Sequence, residues 1–407
     1  MQLQVKWPYT WFVQIELFRD SAIGNLRQIT GTDGRNGREY SHWAFIAHPL
    51  AAEPVLSGET WRVVTRASRA LANLDQASRQ VPNPRLLRRP TLSREAQSTS
   101  ALEGTFAPLD DVLAADSTGG EGHDAALEEV LNYFIAADTA FDYVSERGTI
   151  STMLIENAHQ QLVDGTDSET RDAGRIRRCQ VAIGSGDGSV ERSRFVPMPP
   201  GPELEASVRD LFTWVNEGKE RDPLVAAAMT HYQFETLHPF NDGNGRLGRL
   251  LIVLQLMVDG LLKEPLLSVS PWFEARRAQY QDELARVSQT GEWDSWIQFF
   301  SSGVEASAID TASRVNLMLD AQQEYIRRLS DSGYRGGVAR DIVESLIESP
   351  IVRVPHLAKR FGKSAQGIET AVQKLKALDI LRGPYGGSYR RFYMAFEIHQ
   401  AISSTTS

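Results

Sequence analysis

Apolar residues return at helical spacing in segment after segment of this 407-residue chain, and that repetition restricts it to a mainly α fold. From Ala125 to Val144, Leu127, Val130, Leu131, Phe134 and Ile135 follow i, i+3, i+4, i+7, i+8 spacing and predict one buried helix face. Ser151 predicts the start of a helix carrying Leu154, Ile155, Leu162 and Val163 before Gly165. Leu204, Val208, Leu211, Phe212 and Val215 predict another that ends near Gly218. The clearest exception is Gln180-Val181-Ala182-Ile183, then Gly184 to Gly188, then Arg194-Phe195-Val196-Pro197. Two short β-prone runs around a Gly-rich turn predict a β-hairpin, and a Pro-rich stretch, Pro197 to Pro202, follows it.

The length predicts two or three compact units. A net charge of -9 argues against a protein that coats nucleic acid or anionic membrane along its whole length. The lone Cys179 excludes an intramolecular disulfide and a Cys-rich zinc site, which fits a reducing compartment, so a cytoplasmic location is expected. The stretch around Trp11-Phe12-Val13, interrupted by Gln14, Glu16, Arg19 and Asp20, is too short and too charged for a signal or a membrane span, and no membrane partner is expected. Residues 333–407 carry 11 Lys and Arg against 6 Asp and Glu, so a boundary is expected near Ser332-Gly333.

Chemistry concentrates between two predicted helices, in the loop His238-Pro239-Phe240-Asn241-Asp242-Gly243-Asn244-Gly245-Arg246, with Arg249 one turn on. Gly243 and Gly245 let phosphate oxygens approach the backbone. Successive N–H groups at a helix start then cradle an anion. Arg246 and Arg249 can add guanidinium contacts, and Asp242 is a hard oxygen ligand for Mg²⁺. His238 beside this cradle can take a proton near neutral pH. Each fragment alone would also pass for an ordinary structural turn.

Together these residues resemble the Fic (Fic/DOC) family motif, His-Pro-Phe-x-Asp/Glu-Gly-Asn-Gly-Arg-x-x-Arg, at all nine fixed positions. The flanks His231-Tyr232-Gln233-Phe234-Glu235 and Gly291-Glu292-Trp293-Asp294-Ser295-Trp296 are similar too, and the resemblance extends more weakly from about Leu71 to the C-terminus. It implies a protein adenylyltransferase, in which His238 deprotonates a Ser, Thr or Tyr hydroxyl that attacks the α-phosphate of ATP. It further implies that Asp242 holds Mg²⁺ and that Gly243, Asn244, Gly245, Arg246, Leu247, Gly248 and Arg249 hold ATP, with Phe240 anchoring the loop. The hairpin near 180–196 resembles the family's flap, on which a protein substrate docks as an added strand. Tyr280 resembles an aromatic near the adenine, with core packing an equal alternative, and His231 is expected to pack. The implied layout is a helical N-terminal region (1–120), a helical catalytic core (121–300), a connecting helix (301–332) and a small α+β winged-helix unit (333–407).

Ser98-Thr99-Ser100-Ala101-Leu102-Glu103-Gly104 resembles the family's inhibitory helix near 93–104, with Thr99 and Glu103 on one helix face. Glu103 would then pair with Arg249 and hold the enzyme off. The alternative is a helix-starting capping box of Ser100 and Glu103. In the C-terminal unit, Val354 to Gly362 and Ser364 to Leu378 predict two helices, and Ile380-Leu381 and Arg390 to Tyr393 two wing strands around Gly383 to Gly387. Lys363, Gln366, Gln373, Lys374 and Lys376 on the second helix leave DNA contact, protein docking and a homodimer open. Self-modification, phosphate transfer, removal of AMP, and a DNA-binding regulator that only senses nucleotide remain open as well.

Overall fold

The computed structural model describes residues 15–32, 37–79, 83–118, 124–184, 190, 193–218, 220–334, 336–386 and 391–404. Trp11-Phe12-Val13, residues 185–189 and 191–192 of the expected flap, and residues 387–390 of the expected wing lie outside them. Helices dominate. The N-terminal region, expected to be helical, also contains an antiparallel hairpin, β1 (Gly24–Thr32) and β2 (Glu39–Ala47), with Gly24 opposite Ala47. There follow α1 (Gly58–Ser78), α2 (Arg85–Glu103), α3 (Leu109–Thr118), α4 (Ala125–Arg147), α5 (Thr152–Val163), α6 (Pro202–Glu217), α7 (Pro223–Leu237), α8 (Asn244–Val258), α9 (Ser270–Glu274), α10 (Arg277–Thr290) and α11 (Asp294–Asp331). The last elements are α12 (Val338–Ser345), β3 (Ile351–Val352), α13 (Val354–Phe361), α14 (Ala365–Ala377), β4 (Arg382–Tyr385), β5 (Phe392–Met394) and α15 (Phe396–Ser403).

Caps set the helix starts where short polar residues precede apolar periodicity. Asp124 accepts from Leu127 N at 2.8 Å before α4, and Ser151 from Leu154 N at 3.1 Å before α5. Asp222 accepts from Leu224 N at 2.9 Å and Val225 N at 3.1 Å, with Pro223 at the first position of α7. Every residue of α7 from Leu224 to Phe234, and of α8 from Arg246 to Leu256, is buried. Helices buried on all faces lie at the centre of the fold, so α7 and α8 form its axis and the loop between them is held at both ends. Trp296 of α11 packs onto this axis and donates Nε1–H to Ala228 O at 2.9 Å. α1 lies along α11.

The expected flap shows one bridge among the described residues: Ile183 N donates to Phe195 O at 2.8 Å, and Arg194 N to Ile183 O at 2.8 Å. β2 extends it, since Phe45 N donates to Val196 O at 2.9 Å. In the C-terminal part the strands run in the order β3-β5-β4. Ile380 and Leu381, expected in a strand, are instead buried in the turn before β4, where their side chains fill the core. One apolar core runs through the described residues from Ala44 to Ile402. α15 rests on α2 and α11. Its final carbonyls accept from two cations: Arg94 NH1 reaches Ile402 O at 3.2 Å and Ser404 O at 3.4 Å, and Arg314 NH1 reaches Ala401 O at 2.9 Å and Ile402 O at 3.1 Å. Positive charge at a helix C-terminus complements its dipole. Among the described residues, no helix is long and apolar enough to cross a membrane.

Candidate active site

α7 stops because His238 adopts a left-handed conformation, φ 49° and ψ 62°, with its N–H on Phe234 O at 3.0 Å. A residue with a β-carbon holds that conformation only when its surroundings enforce it. Arg177, 1% exposed, supplies one restraint: its Nε donates to His238 O at 2.8 Å. Asn244 supplies another, since its side chain accepts from Phe240 N and donates to Phe240 O, each at 2.9 Å. Phe240 is buried in the core and stacks on His159 with ring centroids 4.0 Å apart. His159 Nδ1 accepts from Gly174 N at 2.9 Å, so its proton sits on Nε2 and is donated to Asp242 O at 3.2 Å. Gly243 has φ 76°, and a β-carbon there would come within 2.8 Å of Leu162 Cδ2. α8 then begins, and the N–H groups of Asn244, Gly245 and Arg246 have no carbonyl partner within the helix.

Beside this helix start lies a cavity of 290 Å³, lined among others by Glu103, Glu235, His238, Gly245, Arg249 and Tyr280. His238 Nδ1 lies 3.3 Å from Glu235 O; a carbonyl only accepts, so the proton is on Nδ1 and Nε2 is left as acceptor. Burial, with Arg177 acting in the same direction, pushes the imidazole pKa down to about 4, so it is neutral at pH 7. Burial pushes the Glu235 carboxyl up to about 7, and its Oε1 has no hydrogen-bond partner among the described residues.

Arg249, 2% exposed, is gripped from α2. Its Nε donates to Thr99 Oγ1 at 2.7 Å, and its NH2 to Thr99 O at 3.1 Å and to Glu103 Oε1 at 2.6 Å. Burial works against its charge, yet Glu103, Tyr280 and Glu235 raise its pKa. Glu103 is the last residue of α2, which Gly104 closes at φ 102°. A helix-starting capping box of Ser100 and Glu103 is therefore ruled out. Arg246 pairs with Glu129 of α4 and lies 3.8 Å from Asp242. The Asp242 carboxylate is exposed and accepts from Ser168 Oγ and from Gly243 N, each at 2.6 Å.

The residues expected to hold ATP divide by position. Gly245 and Arg249 line the cavity. Asn244 commits its amide to Phe240, Leu247 is fully buried with its N–H on Gly243 O at 3.1 Å, and Gly248 O accepts from His231 Nδ1 at 2.9 Å. Because that carbonyl fixes the proton on Nδ1, His231 Nε2 accepts from the Tyr280 hydroxyl at 2.7 Å. His231 is thus a packing residue, its pKa pushed down to about 3 by burial, and Tyr280 both packs and lines the cavity. Arg177, His159 and Glu129 were not singled out by sequence.

Fold and loop together define a helical protein whose histidine-bearing loop leads into a helix start with backbone N–H groups unpaired within the helix. Residues 61–142 match the Fic/DOC family N-terminal region, and residues 149–256 match the Fic/DOC family domain. The chain belongs to the Fic/DOC family. It is 30% identical over 217 residues to protein adenylyltransferase fic-1 of Caenorhabditis elegans, covering 51% of this chain and 39% of that protein. It is 28% identical over 216 residues to protein adenylyltransferase Fic of Aedes aegypti, covering 51% and 38%. The match thus spans under two fifths of the length of these relatives. Among solved structures, a Fic family protein from Desulfovibrio desulfuricans G20 superposes with a TM-score of 0.55 at 23% identity, over 85% of this chain and 98% of that one. Fic-1 (aa134 - 508) from C. elegans superposes with a TM-score of 0.50 at 23% identity, over 64% and 74%. These structural likenesses bear on the fold alone.

Proposed function

We propose that the chain transfers AMP from ATP to a protein hydroxyl and is held mostly off by Glu103. The observation that carries this reading is a neutral His238, with Nε2 left as acceptor, on the same cavity as the start of α8 and Arg249. The acceptor hydroxyl gives its proton to Nε2 as its oxygen bonds to the α-phosphorus, and the bond from that phosphorus to pyrophosphate breaks. The N–H groups at the start of α8 and the guanidinium of Arg249 hold phosphate oxygens. The names of the relatives, both protein adenylyltransferases, support the same activity.

The described residues contain no cluster of three or more acidic, His or Cys ligands. An exposed single carboxylate, Asp242, nevertheless suits Mg²⁺, which keeps water and phosphate oxygens as its remaining ligands. Bound there, Mg²⁺ would offset charge on the phosphates. Glu103 occupies Arg249 and denies it to the γ-phosphate. The segment at Ile183 offers a strand edge to the target protein. We read residues 333–407 as a winged-helix unit, on the order α13, α14, β4, β5.

Intact-mass analysis of the Glu103→Gly chain, with and without His238→Ala, tests the proposal in ATP, Mg²⁺ and source lysate. One added adenylyl group that requires His238 is expected; a single phosphoryl group, or no addition to any protein, would refute it.

A further inference from the structure

We propose that Arg177 is the positioning residue that registers the flap, and the acceptor hydroxyl it presents, against His238. The inference rests on the AMP-transfer reading of the same site. Arg177 sits where three segments converge. Its NH1 donates to Cys179 O at 3.0 Å on the segment entering the flap, and its NH2 to Met198 O at 2.6 Å on the segment leaving it. Its Nε donates to His238 O at 2.8 Å, and its own backbone N–H to Pro239 O at 2.9 Å, both on the catalytic loop. Just beyond, Gln180 Nε2 donates to Pro197 O at 2.9 Å and Ile183 bridges Phe195, so the register set at the foot of the flap carries along it.

A guanidinium is a rigid planar fork, and a flexible amine could not fix three segments at once. The left-handed backbone of His238 is held from both ends, by Phe234 O on its N–H and by Arg177 on its carbonyl. Among the described residues no carboxylate pairs with Arg177. A buried cation bonded only to carbonyls keeps its positive potential, and that potential disfavours a second positive charge on the nearby imidazole. One side chain thus orients the base, adds to the burial that keeps it neutral and ties it to the segment that presents the target. Removing it should leave ATP bound but misaligned with its acceptor.

The test uses the full chain in the Glu103→Gly background with ATP and Mg²⁺. ATP affinity is read by calorimetry, and the rate of AMP incorporation into protein by intact mass across pH. For Arg177→Gln, the expected result is ATP affinity within about twofold of the parent and a rate about 100-fold lower, the scale of a 1 Å misplacement. The acid limb of its pH profile should move upward because the neighbouring cation is gone. Arg177→Lys keeps the charge but cannot span the carbonyls, so its rate should also fall while the acid limb stays in place; it decides the question alone if the Gln variant does not fold. Retention of the parent rate in either variant overturns the proposal. So does joint loss of ATP affinity and rate, which marks a general structural role. A parent that incorporates no AMP overturns the AMP-transfer reading and this proposal with it, a result distinct from an active parent with active Arg177 variants.

Discussion

Replacing Glu103 with glycine removes the carboxylate hydrogen-bonded to Arg249 while leaving the two bonds to Thr99 in place. A charge-assisted hydrogen bond of this kind contributes about 1.5–3 kcal/mol. On the proposed reading an ATP phosphate displaces it before Arg249 engages, so its removal should raise the rate of AMP transfer by about 10- to 150-fold. The same bond braces the resting fold, so stability should fall as well, by no more than the bond contributes, because the Glu103 side chain is 35% exposed and the pair is partly screened. Glu103→Gln separates charge from helix-end flexibility: a neutral amide oxygen still accepts from Arg249, more weakly, and should give an intermediate rate. Initial rates at saturating ATP, calorimetric ATP affinity and thermal melts together decide the matter. A Glu103→Gly chain that melts like the parent and transfers AMP no faster would refute the reasoning.

Three further outcomes are expected. Asn244→Ala strands the buried N–H and carbonyl of Phe240 and should destabilise the loop by about 2–4 kcal/mol, visible as a lowered melting temperature and a lower kcat; an unchanged melt would count against the bridge. The rate should be flat in His238 protonation between pH 6 and 8: with its pKa at about 4 the imidazole is the free base throughout that range, and activity should fall only as pH drops toward 4. A sharp acid limb near 6.5 would show an imidazole in ordinary solvation. Gly243→Ala combines a left-handed φ with an approach to Leu162 Cδ2, and should lower stability by about 1–2 kcal/mol and weaken ATP binding; wild-type affinity would mean the turn can relax.

Much of the candidate site is legible in the sequence because its residues are contiguous. His238 to Arg249 lies on one loop and one helix turn, and the glycines mark both the break and the proposed cradle. Glu103 was found only through resemblance, since its partner lies 146 residues away. Arg177 and His159 left no pattern, because their partners are chiefly backbone groups and any residue type offers a carbonyl. The capping-box alternative at Ser100 failed because Ser-x-x-Glu also occurs at a helix end, where Gly104 provides the left-handed stop. The N-terminal hairpin could have been anticipated: Asp33-Gly34 and Asn36-Gly37 stand between two runs of strand-forming residues. Helical periodicity elsewhere outweighed that local signal.

The grip of Arg94 on α15 has a practical consequence. Arg94 stands on α2 nine positions before Glu103, about 13 Å along the axis. Besides Asp310 at 3.6 Å, its partners are Ile402 O and Ser404 O, more than 300 positions later in sequence. A chain shortened at residue 332 would leave Arg94 and Arg314 without those carbonyls and would bare the apolar side of α2. Such a fragment would keep every residue from His238 to Arg249, yet its Glu103 would ride on a loosened support, and on the proposed inhibitory reading its activity would overstate that of the 407-residue chain.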